Sequence, residues 1–547
     1  MYICLLVTAG CQQQQPKRPA NFKPYRYRYS IEQLKDNFSQ QQIARAKQAM
    51  AEMNAVIERG PYKADFESLD KHPLPEWFRD AKFGLFYDFG LYSVAGYGEK
   101  RFARANYPDC YLDFMYGWLR DYHIKTWGAD FERDDFIGLF KTPNYDAEAF
   151  ATLAEQAGAK YCVQFDRHAD GYCLWDSSFT FRDSVDMPPG RNLAKEMVDA
   201  CRRHGLKYGF YYGVEDWEYP LISKTDGRLI TRKWAMPATY PCPDMPAGSV
   251  APDFNSVTDN RLMSGEVPVY DFVSEYLVPQ AKEFIDKYDP DILWFDAEWD
   301  NLAQMYKTPE ITAYFYNRAQ GRKEVAANDR FGKDTRSNHG DFFTSETDDV
   351  SINLDHYWEE NRPMGESYGY CWKDNDQTTN SATELVKMLI RIVAKGGNLI
   401  LIVAPEGSAR IPDYQVSRLK EIGDWLKVNG EAIYATRPAR VLNEDTQLGR
   451  NVWYTSSKDG KYNYAIIMDW PRSDTIIMRN ANPKWDKKVY ILGYDKPLEW
   501  IDSPNYGMAV KLPEQMKNPA GRPCKHAWVI KYEYDSKDEF PPPKPAR

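Results

Sequence analysis

The stretch YDFVSEYLVPQAKEFIDKYDPDILWFD, residues 270–296, decides the fold. Its first part, Tyr270 to Tyr288, carries apolar residues at helical spacing, and Asp289-Pro290 then breaks the helix. Its second part, Asp291 to Asp296, is a short apolar segment of the kind that forms a buried strand. A helix, a stop and a buried strand in this order form the repeating unit of a parallel sheet covered by helices.

The same unit recurs along the chain. A strand pattern at residues 82–87 begins the series, and further helix–strand pairs lie at 146–156 with 160–165, at 191–204 with 206–212 and at 381–395 with 398–404. The doubly wound alternative lacks its fingerprint, because no GxGxxG motif opens a helix and there is no phosphate-binding loop motif. The pattern therefore predicts an α/β fold whose main part is a (β/α)8-like barrel.

The pattern changes near residue 437, where short segments of period two predict a C-terminal β-sandwich. Before the barrel, Ser30 to Arg59 reads as one amphipathic helix, with a capping box at its start and Gly60 at its end. Within the barrel, Glu215 to Val267 is Pro-rich and is predicted to be an irregular loop on the face that carries the chemistry. We expect these parts: a signal or lipoprotein segment with its tether (1–25), a helical extension (26–74), the barrel (75–435), the β-sandwich (436–535) and a Pro-rich tail (536–547).

Composition excludes several classes of protein. There are 70 Lys and Arg residues against 79 Asp and Glu, a net charge of −9 without a basic region, so nucleic acid is not an expected partner. The cysteines form no CxxC pair and the histidines have no HxH or HExxH spacing, so we predict neither a metal site nor a disulfide framework. The 16 Trp, 39 Tyr and 26 Phe residues suit either a sugar-binding surface or an ordinary aromatic core.

The first residues predict export. A short apolar run, Ile3 to Val7, is followed by Thr8-Ala9-Gly10-Cys11, which resembles a bacterial lipoprotein cleavage site. No Lys or Arg precedes the run, so the start is either truncated or matches by chance. We expect a periplasmic or outer-membrane lipoprotein of a bacterium with a lipid anchor at Cys11. The sequence makes no prediction of the oligomeric state.

Two carboxylates end neighbouring strand patterns. Asp296 ends the strand 291–296, with Trp294 on the same face, and Glu346 ends a strand-like segment at 340–346. Functional side chains of a barrel gather at the C-terminal ends of its strands. A pair of carboxylates at that place is what glycoside hydrolysis requires. The alternative is that Asp296 merely caps the helix that follows it.

Longer segments resemble glycoside hydrolase family 29, the α-L-fucosidases, in order over residues 75–430. The matching segments are 75–84 (PEWFRDAKFG), 90–94 (GLYSV), 97–99 (YGE), 157–161 (AGAKY), His168 with 170–177 (DGYCLWDS), 206–212 (LKYGFYY), 294–296 (WFD), 328–332 (NDRFG) and 396–399 (GGNL).

The resemblance implies a retaining exo-glycosidase that uses no cofactor. Asp296 takes the place of the family's nucleophile. Glu346 best fits the acid/base position, with Glu298 and Glu215 as reserves. The expected sugar contacts are His168, Glu99 as a hydroxyl acceptor, Trp294 as a platform and Tyr212. Arg330 is expected either to orient Glu346 or to form a structural ion pair.

Several positions depart from the family's sugar pocket. The family's His-Trp-Gly is Asp88-Phe89-Gly90 here, its Glu-Trp is Glu99-Lys100, and its second pocket histidine is Ala169. One interpretation is that Asp88 and Lys100 contact a related L-sugar such as α-L-galactose in place of α-L-fucose. Another is that these charges form a local network around an ordinary fucose site. A third, from a different class, is a catalytically inactive carbohydrate-binding protein.

Overall fold

The computed structural model describes residues 15–100, 106–235, 263–346, 356–446, 450–503 and 507–535. The segment with Cys11, residues 236–262 of the predicted loop and the Pro-rich tail at 536–547 lie outside this description.

The described helices surround the barrel and begin with the long N-terminal helix. That helix is as predicted: Ser30 caps it through a capping box with Gln33, and it ends at Gly60. Among the described residues, none of the helices is both long and apolar enough to cross a membrane. The helices are α1 Ile31–Arg59, α2 Phe66–Leu69, α3 Glu76–Ala81, α4 Tyr92–Ala95, α5 Tyr111–Phe114, α6 Arg120–Trp127, α7 Ala147–Ala157, α8 Leu193–Arg203, α9 Val278–Tyr288, α10 Ala303–Tyr306, α11 Thr308–Ala319, α12 Ala382–Ala394 and α13 Asp413–Asn429.

The barrel is an eight-stranded parallel sheet in the order β7-β6-β3-β2-β1-β10-β9-β8. Because β1, the first strand of this sheet along the chain, pairs with β10, the last, the sheet curves back on itself, and among the described residues its ladder is open between β7 and β8. This confirms the predicted (β/α)8-like barrel. The strands of this part of the chain are β1 Phe83–Tyr87, β2 Tyr161–Arg167, β3 Lys207–Gly213, β4 Asp216–Ile222, β5 Leu229–Ala235, β6 Ile292–Asp296, β7 Ala326–Ala327, β8 Phe343–Glu346, β9 Trp358–Arg362 and β10 Asn398–Val403.

The helix–stop–strand units form as the sequence predicts. Helix α7 ends at Gly158, which has a φ of 86° that a residue without a Cβ adopts readily. Helix α9 ends at Asp289 in the left-handed region, and Pro290 prevents its continuation before β6. Each stop returns the chain to the N-terminal end of the next parallel strand, so the following strand ends all point to one face of the barrel.

Aromatic side chains fill the barrel beneath that face. The rings of Phe165 and Tyr211 are stacked with centroids 3.8 Å apart, and Phe86 lies 4.9 Å from Trp294 in an edge-to-face contact. All four residues are buried. They form a close-packed floor, which fixes the strand ends above it because a tightly packed interior resists small displacements.

The stretch at 215–267 is not wholly irregular, which corrects the prediction of a loop. Strands β4 and β5 form an antiparallel hairpin, with Asp216 opposite Ala235 and Ile222 opposite Leu229. Its turn contains Gly227 at a φ of 70° and hydrogen bonds to the hydroxyl of Ser223. The proline content misled the prediction, because the one proline within β4 and β5, Pro220, is accommodated in the antiparallel pair.

The C-terminal part consists of two antiparallel sheets, as predicted for a β-sandwich. A five-stranded sheet has the order β11-β12-β13-β18-β15 and a three-stranded sheet the order β14-β17-β16. They share an apolar core of their own that includes Val452, Ile476, Val510 and Ile530. The strands are β11 Thr436–Thr446, β12 Arg450–Ser457, β13 Tyr462–Ile467, β14 Thr475–Met478, β15 Tyr490–Ile491, β16 Glu499–Ser503, β17 Gly507–Lys511 and β18 Trp528–Glu533.

Candidate active site

A cavity of about 640 Å³ lies at the C-terminal ends of the barrel strands. Residues at or just after the ends of β2, β6, β8 and β9 line it, together with the segment 107–118. A depression of about 730 Å³ elsewhere is lined by surface residues that include the Arg191–Glu196 ion pair. The side chains that line a cavity therefore identify the candidate site better than the volume of the cavity does. The cavity is lined by Tyr107, Asp109, Cys110, Asp113, Phe114, Gly117, Trp118, Phe165, His168, Trp217, Trp294, Asp296, Trp299, Arg330, Arg336, Glu346, Asn361 and Tyr368.

One guanidinium joins the two predicted catalytic carboxylates. Arg330 Nη1 donates to Asp296 Oδ1 at 2.6 Å, and Arg330 Nη2 donates to Glu346 Oε1. The Arg330 side chain is 2% exposed, whereas Asp296 and Glu346 are 16% and 26% exposed, so the carboxylates are more open to solvent than the arginine that holds them. The planar fork of Arg330 therefore fixes both acids at one place on the cavity wall.

The chain around Arg330 holds it firmly. The Asn328 side chain donates to the carbonyl of Phe295 at 2.8 Å and accepts from its N–H at 3.1 Å, which ties the segment after β7 to β6. Arg330 Nε donates to Thr344 Oγ1 at 2.9 Å, and the guanidinium lies 4.8 Å from the ring centroid of Trp294. These contacts preorganise Arg330 because a buried side chain with fixed partners has few other conformations to adopt.

Asp296 is held as a carboxylate. The hydroxyl of Tyr211 donates to Asp296 Oδ2 at 2.8 Å, opposite the contact with Arg330. Burial by itself raises the pKa of Asp296, but the charge of Arg330 and the hydrogen bonds outweigh it and leave the pKa below its ordinary value. At neutral pH the side chain is therefore ionised, which is the state a nucleophile requires.

The two reserve acids are buried away from the cavity. Glu298 lies 3.4 Å from Arg336 Nη1, and burial raises its pKa to about 7. Glu215 accepts from the hydroxyl of Tyr306, and burial raises its pKa to about 8. Both side chains have the raised pKa of a general acid, yet neither lines the cavity, whereas Glu346 does. Because Glu346 lies on the cavity wall, where a ligand can reach it, it is favoured over Glu298 and Glu215 as the general acid.

A second acidic group lies on the wall near His168. Asp109 Oδ2 is 3.9 Å from His168 Nε2, and burial lowers the pKa of His168 and raises that of Asp109. Asp88 lies deeper, where the hydroxyl of Tyr92 donates to it at 2.6 Å and burial raises its pKa to about 7. Burial therefore favours the neutral forms of His168, Asp109 and Asp88, which can exchange hydrogen bonds with a ligand or with each other without a net charge.

The structure brings together five of the predicted residues, Asp296, Glu346, Arg330, Trp294 and His168, and leaves the others outside the cavity wall. Tyr212 points to the surrounding helices, where its hydroxyl donates to Gln280 Oε1 at 2.8 Å. Glu99 is exposed and accepts from Tyr97, and exposed Lys100 pairs with Glu366 at 2.5 Å. Asp88 is fully buried beneath the wall.

Sequence reasoning missed several residues of the site. Tyr211 could have been found from strand alternation, because Tyr212 faces outward and its neighbour must face the barrel interior. Asp109 carried no such signal, since it lies in a short 3₁₀ turn, Pro108–Cys110, far from any strand end in the sequence. The remaining missed aromatic residues of the wall are Tyr107, Phe114, Trp118, Phe165, Trp217, Trp299 and Tyr368.

Comparison with known proteins identifies the family to which the chain belongs. The family model described as "Alpha-L-fucosidase" matches residues 49–431, and that of the "Alpha-L-fucosidase C-terminal domain" matches residues 444–533. The chain is similar to the α-L-fucosidase of Dictyostelium discoideum, with 30% identity over 84% of this chain and 93% of the relative. It is also similar to the tissue α-L-fucosidase of Bos taurus, with 31% identity over 86% of this chain and 91% of the relative.

Solved structures of related enzymes have a similar fold. The Thermotoga maritima α-fucosidase in complex with fucose superposes with a TM-score of 0.68 at 28% identity, covering 86% of this chain and 100% of that one. An α-L-fucosynthase of the same organism, in complex with α-L-Fuc-(1-2)-β-L-Fuc-N3, gives a TM-score of 0.69 at 27% identity, covering 87% of this chain and 100% of that one.

These relatives correct the predicted localisation. Curated relatives are α-L-fucosidases of Dictyostelium discoideum, Rattus norvegicus and Homo sapiens, which are eukaryotes, and not bacterial lipoproteins. The expectation of an exported bacterial lipoprotein was therefore wrong. It rested on a short apolar run before Cys11, a pattern too brief to be specific, and those residues lie outside the described part of the chain.

Proposed function

The chain belongs to the α-L-fucosidase family of glycoside hydrolases, and from that membership we propose that it removes terminal α-L-fucosyl residues from glycans with retention of anomeric configuration. The observation that carries this proposal is the pair Asp296 and Glu346, held on one buried guanidinium in the wall of the barrel cavity. Family membership by itself indicates a hydrolase acting on a glycan, and it favours an enzyme over an inactive sugar-binding protein.

In the proposed first step, Asp296 attacks the anomeric carbon. One oxygen of its carboxylate forms a bond to that carbon while the bond to the leaving oxygen breaks, and Glu346 gives its proton to the leaving oxygen. In the second step Glu346 takes a proton from a water molecule, which attacks the same carbon and releases Asp296. Two inversions at one carbon leave its configuration unchanged.

The closeness of the two acids supports retention. Retaining enzymes hold their carboxyl groups about 5–5.5 Å apart, while inverting enzymes need about 6.5–9.5 Å to admit a water molecule between them. Asp296 and Glu346 bind the two terminal nitrogens of the same arginine, and this shared contact holds the two carboxyl groups close together, in the sense that retention requires.

The proposed acid role requires Glu346 to exchange partners. In the structure Glu346 Oε1 accepts from Arg330 Nη2, so Glu346 must leave the arginine before it can act on the leaving oxygen. A bound glycoside brings its leaving oxygen to Glu346, which is more exposed than Asp296 and can leave the arginine with little loss of packing. Arg330 then keeps Asp296 as its remaining partner and continues to hold the nucleophile ionised.

A related L-sugar such as α-L-galactose is the second candidate substrate. The carboxyl group of Asp109 on the cavity wall favours it, because a carboxyl group offers hydrogen-bond roles that differ from those of a neutral imidazole. A site built for one pattern of hydroxyl groups discriminates strongly against another. Trp294 and Phe165 would form the apolar platform beneath either sugar.

Two measurements test the proposal. Aryl α-L-fucoside and aryl α-L-galactoside are compared by kcat/KM, and proton NMR identifies the anomer that is released first. We expect hydrolysis of the fucoside with the α-anomer released first. Release of the β-anomer first would contradict the retaining mechanism. A kcat/KM in favour of the galactoside would select the second candidate, and no hydrolysis of any aryl α-L-glycoside would refute the proposed activity.

A further inference from the structure

One part of the cavity wall combines a carboxylate, a thiol and an imidazole. One ligand atom each of Asp109, Cys110 and His168 lies within 4.8 Å of the others. Asp109 and Cys110 belong to the turn Pro108–Cys110, and His168 directly follows β2. All three residues line the cavity, and the Asp296–Arg330–Glu346 group uses neither Asp109 nor Cys110.

The spacing of His168 and Asp109 suits a shared metal ion better than a hydrogen bond. His168 Nε2 and Asp109 Oδ2 are 3.9 Å apart, which is too long for a hydrogen bond. Bonds of about 2.0–2.3 Å from Zn²⁺ place two ligand atoms of a tetrahedral site about 3.3–3.8 Å apart. A side-chain shift of a few tenths of an ångström would therefore bring this pair onto one ion.

Buried polar atoms of the group lack partners. Asp109 Oδ1 and His168 Nδ1 are both buried without a hydrogen-bond partner in the part of the chain that the structure describes. Arg330, the nearby cation of the site, is committed to Asp296 and Glu346. A cation at this point would supply the partner that Asp109 Oδ1 lacks among the described residues.

We propose that Asp109, Cys110 and His168 form a binding site for one divalent cation of the Zn²⁺ class. A thiolate, an imidazole and a carboxylate match the ligand preference of Zn²⁺, whereas Mg²⁺ and Ca²⁺ prefer oxygen ligands alone. Three protein ligands leave a fourth position open toward the cavity. On binding, Cys110 gives up its thiol proton to solvent as the sulfur–metal bond forms. This inference does not rest on the proposed function.

The first test measures metal directly on the full chain. The protein is treated with a chelator, dialysed against buffered Zn²⁺ and analysed for bound zinc by mass spectrometry. We expect one site per chain whose Kd rises at least about 100-fold in Cys110→Ser and in Asp109→Asn, since loss of even an outer partner of a metal ligand costs 10- to 100-fold. Cys524→Ser, at a cysteine on the C-terminal part, is the matched control and should bind as the wild type does.

The second test identifies the sulfur ligand. Co²⁺ in place of Zn²⁺ should give a near-ultraviolet charge-transfer band that requires a thiolate, present in wild type and Cys524→Ser and absent in Cys110→Ser. The melting temperature of each metal-free variant shows that it is folded, and added Zn²⁺ should raise the melting temperature of the wild type and of Cys524→Ser but not that of Cys110→Ser or Asp109→Asn. Zinc bound with equal affinity in all variants, or no bound zinc in the wild type, would overturn the proposal.

A third measurement links the site to the cavity. Because His168 also belongs to the proposed sugar wall, Zn²⁺ should inhibit hydrolysis by the wild type, and the chelator should reverse it. Each variant is compared with its own chelator-treated activity, and Cys110→Ser should lose at least about tenfold in sensitivity to Zn²⁺. If no glycoside is hydrolysed, the proposed function fails, while the zinc and cobalt titrations still decide the metal site.

Discussion

The hydroxyl of Tyr211 donates a 2.8 Å hydrogen bond to Asp296 Oδ2, so that the inward face of one barrel strand holds the carboxylate that ends the next. Tyr212, the following residue, sends its hydroxyl in the opposite direction to Gln280 on α9. Two adjacent tyrosines thus divide between the active site and the outer layer because side chains alternate along a strand.

This pair provides a matched comparison. Tyr211→Phe removes a hydrogen bond to a charged group, an interaction of about 1.5–3 kcal/mol, and we expect kcat/KM for an aryl α-L-fucoside to fall at least about tenfold. Tyr212→Phe removes an equivalent hydroxyl outside the cavity and should leave kcat/KM within about twofold of the wild type. Steady-state kinetics of both variants checks this. An equal loss in the two would show that the Tyr211 hydroxyl has no particular role.

Asp296→Asn should lower kcat at least about 1,000-fold, because an amide is not a nucleophile in this displacement. The variant should keep the thermal stability of the wild type within a few degrees, since Asn retains the shape of Asp. Added azide should restore part of the turnover of an activated aryl fucoside and yield the β-linked glycosyl azide, identified by NMR. Unchanged kcat would remove Asp296 from the mechanism.

Glu346→Ala should affect poor leaving groups more than good ones. A general acid contributes about 10²–10⁴-fold when the leaving oxygen needs a proton, and far less for a nitrophenolate. We therefore expect a loss of at least about 100-fold on a fucosyl disaccharide and a much smaller loss on the aryl glycoside. Glu298→Gln is the control, because Glu298 does not line the cavity. If the activity of Glu298→Gln depended more strongly on the leaving group than that of Glu346→Ala, the role of general acid would pass to Glu298.

Arg330→Gln should shift the pH profile of kcat/KM. Burial raises the pKa of Asp296, and Arg330 is the largest influence that lowers it below the ordinary value. Without that charge the pKa rises, so the nucleophile becomes protonated at a higher pH and the acidic limb of the profile moves upward. Arg330→Lys keeps the charge and should move the limb less. An acidic limb at the same pH in all three proteins would contradict this role of the arginine.

Asp88→Asn should stabilise the fold at alkaline pH. Burial raises the pKa of Asp88 from 3.8 to about 7, so the folded state holds this proton more tightly than the unfolded state does. The stability that the proton confers is complete below pH 4 and is lost as the pH rises toward and beyond 7. The variant carries no titrating group there, and its melting temperature should exceed that of the wild type at pH 8 and match it near pH 4. Thermal melts across this range check the difference.

Much of the fold was fixed by patterns that act locally. Gly158 and Asp289-Pro290 end their helices through their own backbone preferences, independently of the rest of the fold. An apolar run such as Ile292 to Phe295 must be covered on both faces. Repetition of these units left a barrel-like parallel sheet as the consistent solution. The hairpin of β4 and β5 escaped prediction because its pairing depends on contacts across a turn in a proline-containing stretch.

For the site, the sequence by itself determined which carboxylates end barrel strands, because strand alternation and the common direction of parallel strands place Asp296 and Glu346 at one rim. Only the tertiary structure decided that Arg330 joins them and that Asp109, Cys110 and His168 meet on the same wall. It also decided that Lys100 pairs with Glu366 outside the cavity. These contacts join residues distant in the chain, and their geometry follows from how whole segments pack, which no local pattern of side chains encodes.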